Sequence, residues 1–144
     1  MKYDFRCLSP YDFQLLVRDL LKAHRNEEYE SFASGPDGGV DLRQRSPKGN
    51  VVVQCKHYVG AGFHKLKSTM ENEVKQWDEE HQRLNFVFPM ASYVLATSVP
   101  LTPNRKATLE AVLKRAASAE VEVVGQEDLN QIITAHPEVE QRHP

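Results

Sequence analysis

Three residues of types that can act on a phosphodiester bond lie close together in this sequence. Gln54 stands thirteen positions after Asp41, and Lys56 follows two positions later. Phosphodiester hydrolysis needs a divalent cation and a water positioned to attack in line. Asp41 can bind such a cation, and the Gln54 side-chain carbonyl and the Cys55 main-chain carbonyl are further oxygen ligands that Mg²⁺ accepts. Lys56 can orient the water or stabilise the charge of the transition state.

The segments that carry these residues have the pattern of a β-hairpin. Residues 40–45 and 50–58 are predicted strands, and the turn-forming cluster Ser46-Pro47-Lys48-Gly49 separates them. A loop of this length pairs Arg45 with Asn50. Counting back along both strands then gives the register of the whole hairpin.

In that register Asp41 lies opposite Gln54. Because side chains alternate between the faces of a sheet, Gln54 and Lys56 project from one face and Cys55 from the other. A slip by one residue would break this arrangement. The simpler alternative is that Asp41 and Lys56 form an ordinary cross-strand ion pair, worth about 0.2–1 kcal/mol.

The rest of the chain alternates between helical and strand-like patterns. Ser9 and Pro10 have the types expected at a helix start, with Asp12 as the partner in a capping box. Helices are predicted over 10–23, 62–82, 103–117 and 128–134, and further strands over 29–33, 93–97 and 121–124. The order αβββαβαβα predicts an α/β fold, with a mixed central sheet flanked by helices. We expect residues 1–136 to form one domain and 137–144 to begin a linker to a C-terminal region.

Composition excludes several classes of protein. No apolar run approaches the ~18 residues of a membrane span, and the N-terminus lacks a signal peptide core, so we expect a cytoplasmic protein without a membrane partner. Cys7 and Cys55 form no disulfide framework, and Cys55 with His57 lacks a second ligand pair for zinc.

The net charge is −2, but residues 119–144 hold six acids and one base, which leaves +3 for residues 1–118. That balance permits a nucleic-acid partner without requiring one.

Two other motifs have a functional and a structural interpretation. The loop 35–39 lacks the GK[ST] end of a nucleotide-binding loop and leads into a strand, so a tight turn is favoured. Polar residues after the second hairpin strand can contact DNA phosphates, although a solvated helix start is an equal alternative. They are His57, Tyr58, His64, Lys65 and Lys67.

These motifs together resemble the Mrr-like branch of the restriction-endonuclease superfamily, PD-(D/E)xK. The resemblance covers Phe13, Gly35-Pro36-Asp37-Gly38-Gly39-Val40-Asp41-Leu42 and Val51-Val52-Val53-Gln54-Cys55-Lys56, and continues through Ala96-Thr97-Ser98 and residues 123–130. Leu101-Thr102-Pro103 and residues 136–140 resemble, more narrowly, the nuclease domain at the N-terminus of antiviral STAND ATPases of prokaryotes.

The resemblance implies a Mg²⁺-dependent deoxyribonuclease, with Mn²⁺ as a substitute, acting on double-stranded DNA as the effector of an antiphage protein. Cutting both strands needs two centres, which favours a homodimer of nuclease domains and a larger assembly in a full-length protein.

One position departs from the family pattern. Gln14 stands where relatives carry a glutamate on the first helix, and Asp12 is the nearest acid that can substitute. A junction-resolving nuclease and an inactive DNA-binding or oligomerisation module remain open alternatives.

Overall fold

The computed structural model of the chain describes residues 3–32, 42–44, 49–60, 62–79, 90–115 and 120–143. Within these ranges, five helices follow a short 3-10 turn at Phe5–Cys7: α1 Pro10–Arg25, α2 Phe63–Glu79, α3 Pro103–Lys114, α4 Gln126–Ala135 and α5 Pro137–Arg142. The strands are β1 Glu30–Ser31, β2 Leu42–Gln44, β3 Asn50–Lys56, β4 Met90–Thr97 and β5 Glu120–Val124. The predicted order αβββαβαβα is confirmed, with α5 added at its end.

The strands form one mixed sheet in the order β1-β2-β3-β4-β5. The β1–β2 and β2–β3 pairs are antiparallel, whereas the β3–β4 and β4–β5 pairs are parallel. Parallel neighbours need crossover connections, and here α2 links β3 to β4 and α3 links β4 to β5. The mixed sheet that the sequence predicts is therefore present.

Helices cover both faces of the sheet, and each face has its own apolar core. On one face α1, α4 and α5 pack against a cluster that includes Leu42, Val53 and Val94. On the other face α2 and α3 pack against a cluster that includes Val52 and Tyr93. The alternation of Val52 and Val53 between these two cores sets which face each residue of β3 presents.

Local capping signals place two of the helix starts. The Ser9 hydroxyl accepts a hydrogen bond from the Asp12 backbone N–H at 3.0 Å, and the Thr102 hydroxyl accepts one from the Arg105 N–H at 3.2 Å. A proline follows each cap, in the first turn, where no backbone donor is needed. The Ser9 cap and the helix start predicted at residue 103 are confirmed, whereas the role of the Asp12 side chain in a capping box stays a prediction.

The C-terminal segment differs from its sequence prediction. Residues expected to begin a linker form α5, in which Val139 is fully buried against α1 and α4. The His143 imidazole lies 2.8 Å from the Asp19 carboxylate. The main-chain carbonyl of His143 accepts a hydrogen bond from the Tyr3 hydroxyl. Pro137 lies in the first turn of this helix, where a proline is well tolerated because no backbone donor is needed. Whether a C-terminal region follows stays a prediction.

Candidate active site

The hairpin register near the predicted site is as expected. Leu42 pairs with Val53, and Arg43 pairs with Val52, the same register that sets Asp41 opposite Gln54. Asp41 itself lies outside the described residues, as does the loop 35–39, so the place of this carboxylate stays a prediction. The observed pairing of residues 42–44 excludes a slip by one residue in this part of the hairpin.

Gln54 and Lys56 project together from β3 toward helix α2. Gln54 is almost completely buried, with 2% of its surface exposed, whereas Lys56 is partly exposed. Cys55 points the other way and packs against the core beneath α1, as the alternation of the strand predicts. Its thiol is therefore on the opposite face from the other two side chains, and its main-chain carbonyl stays a predicted ligand.

One carboxylate from α2 joins the Gln54 amide to the Lys56 ammonium. Glu73 Oε2 accepts a hydrogen bond from Gln54 Nε2 at 2.9 Å, and Glu73 Oε1 lies 2.6 Å from Lys56 Nζ. The Lys56 and Glu73 side chains are 19% and 24% exposed. Charge-assisted hydrogen bonds of this length are stronger than neutral ones. Glu73 is a polar partner that the sequence reasoning missed.

A buried tyrosine fixes the other end of the Gln54 amide. The Tyr93 hydroxyl, on β4, donates a hydrogen bond to Gln54 Oε1. If the amide were turned over, its carbonyl oxygen would face the Glu73 carboxylate, acceptor against acceptor. The amide is therefore held in one orientation, in a continuous chain of hydrogen bonds from Tyr93 through Gln54 and Glu73 to Lys56.

The sequence held one weak signal for Glu73 and none for Tyr93. Glu73 lies seven positions after Leu66 and three after Met70, both of which are buried on the core-facing side of α2. An acid at the edge of such an apolar stripe needs a polar partner. Tyr93 lies in an apolar strand and looks like any other core aromatic residue.

Among the contacts of the described residues, the helix-one residues predicted as additional site residues do not join the chain of hydrogen bonds from Tyr93 to Lys56. Gln14 is buried, and its amide nitrogen donates to the Ser31 hydroxyl at 2.8 Å and to the Phe32 carbonyl at 2.9 Å. These bonds attach α1 to the edge of the sheet. Asp12 is exposed in the first turn of α1, where its backbone N–H is bound by the cap. Their predicted role in the site remains untested.

Among the predicted DNA contacts, His57 is partly buried, and both of its ring nitrogens have partners. Its Nε2 lies 2.8 Å from the Leu8 carbonyl, its Nδ1 lies 2.8 Å from the Ser98 hydroxyl, and its ring stacks on Phe13 at 4.9 Å. Because a carbonyl only accepts, Nε2 is the donor in the first contact. These contacts connect the end of β3 to α1 and β4.

The other predicted DNA contacts lie at the start of α2. Lys65 Nζ is 5.0 Å from the centroid of the Tyr58 ring, which is a cation–π contact, and Lys65 is an exposed residue. His64 is exposed and Lys67 is partly exposed. The structure places these side chains on one accessible segment, and their contact with DNA stays a prediction.

The chemistry of the site suits a hard cation better than a soft one. Gln54 Oε1 keeps a second lone pair beyond the one that accepts from Tyr93. The Glu73 carboxylate, close by, has further oxygen atoms of the kind that bind hard metal ions. Within the described ranges no three His, Cys, Asp or Glu side chains gather as a metal cluster. An oxygen-ligated site would therefore combine Gln54 with the carboxylate of Asp41, whose place is not described, and this donor set fits Mg²⁺.

A five-stranded mixed sheet with helices on both faces and a QxK strand at its centre defines the restriction-endonuclease-like fold. Residues 5–82, more than half of the chain, match the family model described as restriction endonuclease (Mrr_cat), and the chain belongs to that family. This membership makes it a nuclease-like domain and confirms the resemblance at the level of the family.

A much longer protein carries a similar domain. The uncharacterized protein y4cD of Sinorhizobium fredii (strain NBRC 101917 / NGR234) is 40% identical over 143 residues, which are 99% of this chain and 21% of that protein. The chain thus spans about a fifth of the length of this relative. In the part of the chain that is described, no helix is long and apolar enough to cross a membrane.

Proposed function

We propose that this chain is a divalent-metal-dependent DNA endonuclease domain that hydrolyses phosphodiester bonds, with Asp41, Gln54 and Lys56 as its active-site residues. The observation that carries the proposal is the convergence of the Gln54 amide and the Lys56 ammonium on one face of β3, beside a carboxylate from α2. An ordinary cross-strand ion pair between Asp41 and Lys56 does not explain why Lys56 reaches across to α2. Family membership supports the same assignment.

Each residue has a task that follows from its chemistry. Asp41 and the second lone pair of Gln54 Oε1, with the Cys55 carbonyl, would hold Mg²⁺ or Mn²⁺. Such a cation supplies a Lewis acid for the phosphate and lowers the pKa of bound water. The Lys56 ammonium has three N–H donors and gives one to Glu73, which leaves two for the attacking water or the phosphate oxygens.

We propose double-stranded DNA as the substrate, with two domains acting together. The exposed residues at the start of α2 supply cations and polar groups for the DNA backbone, and phosphate contacts of this kind position a protein without reading sequence. A single domain holds a single copy of the QxK strand, so a double-strand cut favours a dimer.

We further propose that the domain is the effector of a prokaryotic antiphage protein of the STAND type. The support is the resemblance of residues 101–103 and 136–140 to such domains, together with the length of y4cD, most of which lies outside the matched region. A host strain that expresses the full-length protein carrying this domain should show fewer phage plaques than a strain that expresses the same protein with Lys56→Met. Equal plaque numbers with and without that change would contradict the defence role.

The nuclease proposal is tested by incubating the domain with linear, supercoiled and four-way-junction DNA in Mg²⁺, Mn²⁺ or EDTA. We expect cleavage of the first two substrates with either metal and none in EDTA. Preference for the junction would instead support a resolvase, and binding without cleavage an inactive module. Lys56→Met should abolish cleavage, whereas Lys114→Met, an exposed lysine at the end of α3, should not.

A further inference from the structure

We infer that Glu73 is the positioning residue of this nuclease site, in that its carboxylate holds the Lys56 ammonium and the Gln54 amide in their working orientation. The inference rests on the proposed function and assigns a role to a residue outside the D-QxK motif. It makes α2 a helix that contributes directly to the polar site.

The geometry gives Glu73 a separate oxygen for each partner. Oε2 accepts from Gln54 Nε2 at 2.9 Å, and Oε1 binds Lys56 Nζ at 2.6 Å. The two partners are neighbours on the same face of β3, about 7 Å apart along a strand. Their side chains therefore both reach the Glu73 carboxylate. Glu73 lies on α2, and Leu66 and Met70 anchor that helix in the apolar core.

Lysine needs such a partner more than most residues. Its ammonium sits on a flexible four-carbon stem, so the chain alone does not determine where the charge lies. A bond to a carboxylate that is only 24% exposed restricts the ammonium to one place and leaves two donors for the substrate. A misplacement of about 1 Å in an active site can lower a rate by about a hundredfold.

The same carboxylate determines which way Gln54 presents its oxygen. Glu73 accepts from the amide nitrogen while Tyr93 donates to the carbonyl oxygen, so the plane of the amide is held at both ends. The remaining lone pair of Gln54 Oε1 therefore points in a fixed direction. Without the carboxylate the amide would keep only its bond to Tyr93 in this chain of contacts.

Stability alone is a poor reason for this contact. A partly buried ion pair loses hydration that its Coulomb attraction often only just repays, and apolar replacements are frequently as stable. A leucine or methionine at position 73 would extend the stripe of Leu66 and Met70. The acid is explained better by the orientation of Lys56 and Gln54 than by packing.

Gln14 is the competing candidate for a helix residue of the site. Its amide nitrogen is directed to Ser31 and Phe32 at the edge of the sheet, whereas Glu73 bonds directly to both described motif residues. If Gln14 held the motif in place, its replacement would affect Lys56. If Glu73 holds it, only replacement of Glu73 would.

The experiment compares Glu73→Gln, Gln14→Met, Lys56→Met and Glu71→Gln in the intact domain. Glutamine at 73 has the same shape, but one of its two polar atoms is a donor, so it cannot accept from both partners. Glu71 is an exposed acid on the same helix and serves as the matched control. The measurements are kcat and KM on supercoiled DNA, the Tm, and the ¹H–¹⁵N NMR signal of the Lys56 ammonium, assigned by its loss in Lys56→Met.

We expect Glu73→Gln to lower kcat by about tenfold to a hundredfold, with little change in KM, and to broaden or shift the Lys56 ammonium signal. Gln14→Met and Glu71→Gln should leave that signal in place. Normal kcat in Glu73→Gln, or a loss that follows the Tm and disappears at lower temperature, would overturn the inference while leaving the nuclease proposal intact. Normal cleavage in Lys56→Met would overturn the nuclease site itself, and the positioning role with it.

Discussion

The Gln54 amide nitrogen lies 2.9 Å from the Glu73 carboxylate, so position 54 needs a hydrogen-bond donor on that side. Gln54→Glu would set two carboxylates against each other, which raises the pKa of one of them. In metal-free buffer we expect the free energy of unfolding to fall by about 1–3 kcal/mol. The fall should be larger at pH 8 than at pH 5, because a proton on one carboxyl restores a donor and is lost as pH rises. Chemical denaturation at the two pH values measures this.

The same variant should gain more from metal than the wild type does. A cation between the two carboxylates offsets their repulsion, so Mg²⁺ should restore the Tm and the Mg²⁺ optimum of cleavage should move to lower concentration. The double variant Gln54→Glu with Glu73→Gln exchanges donor and acceptor and should recover the stability lost in metal-free buffer. A single variant that is as stable as the wild type in EDTA at pH 8 would contradict the contact.

Asp41→Ala should abolish cleavage, because it removes the proposed anchoring carboxylate of the cation. We expect little change in the Tm and DNA binding at least as strong as in the wild type, since a negative charge near phosphate is lost. Cleavage, a DNA-binding isotherm and a melting curve measure the three properties. Asp37→Ala is the matched control, because Asp37 is predicted as a turn residue of the preceding loop. Lost cleavage together with a collapsed Tm would favour the simple ion-pair interpretation.

His57→Phe should destabilise the fold more than it weakens DNA binding. Phenylalanine can keep the stack on Phe13, but it loses the contacts with Leu8 and Ser98, at a cost of about 1–3 kcal/mol. His64→Phe, at an exposed position, should leave stability unchanged. Denaturant titration and DNA binding at several salt concentrations check both variants. If His57→Phe is fully stable but binds DNA with a reduced salt slope, His57 is a phosphate contact instead.

The pairing of Asp19 with His143 should make the docking of α5 sensitive to acid. Burial alone would raise the pKa of Asp19, but hydrogen bonds from His143 and Arg18 outweigh it and hold this pKa below its ordinary value. A lowered carboxyl pKa stabilises the fold above the unfolded value of about 4, and this contribution is lost as pH falls through the folded value. Asp19→Asn should therefore be less stable than the wild type at pH 7, by about 1–3 kcal/mol.

The stability difference between Asp19→Asn and the wild type should shrink as pH falls below about 4. Thermal melts between pH 2 and pH 7 measure it, and Glu140→Gln, an exposed acid on α5, is the control. A difference that stays constant down to pH 2 would show that the ionised Asp19 carboxylate does not hold the helix.

Much of the fold followed from signals that lie close together in the chain. Ser9 with Pro10 and Thr102 with Pro103 place two helix starts, and apolar spacing identifies α2. The hairpin register was also predictable, because a short turn leaves few ways to pair the strands on either side of it. Asp41, Gln54 and Lys56 were recognisable as a set for the same reason, because the predicted hairpin register sets Asp41 opposite Gln54, two positions before Lys56.

The partners of that set depended on tertiary structure. Glu73 reaches Lys56 from another element, and Tyr93 reaches Gln54 across 39 positions of sequence, through the pairing of β3 with β4. No local pattern specifies such contacts, because they arise only when α2 and β4 pack on the sheet. The docking of α5 through Val139 is of the same kind. The sequence by itself determined the motif and the elements that carry it, whereas packing decided which side chains hold Gln54 and Lys56 in place.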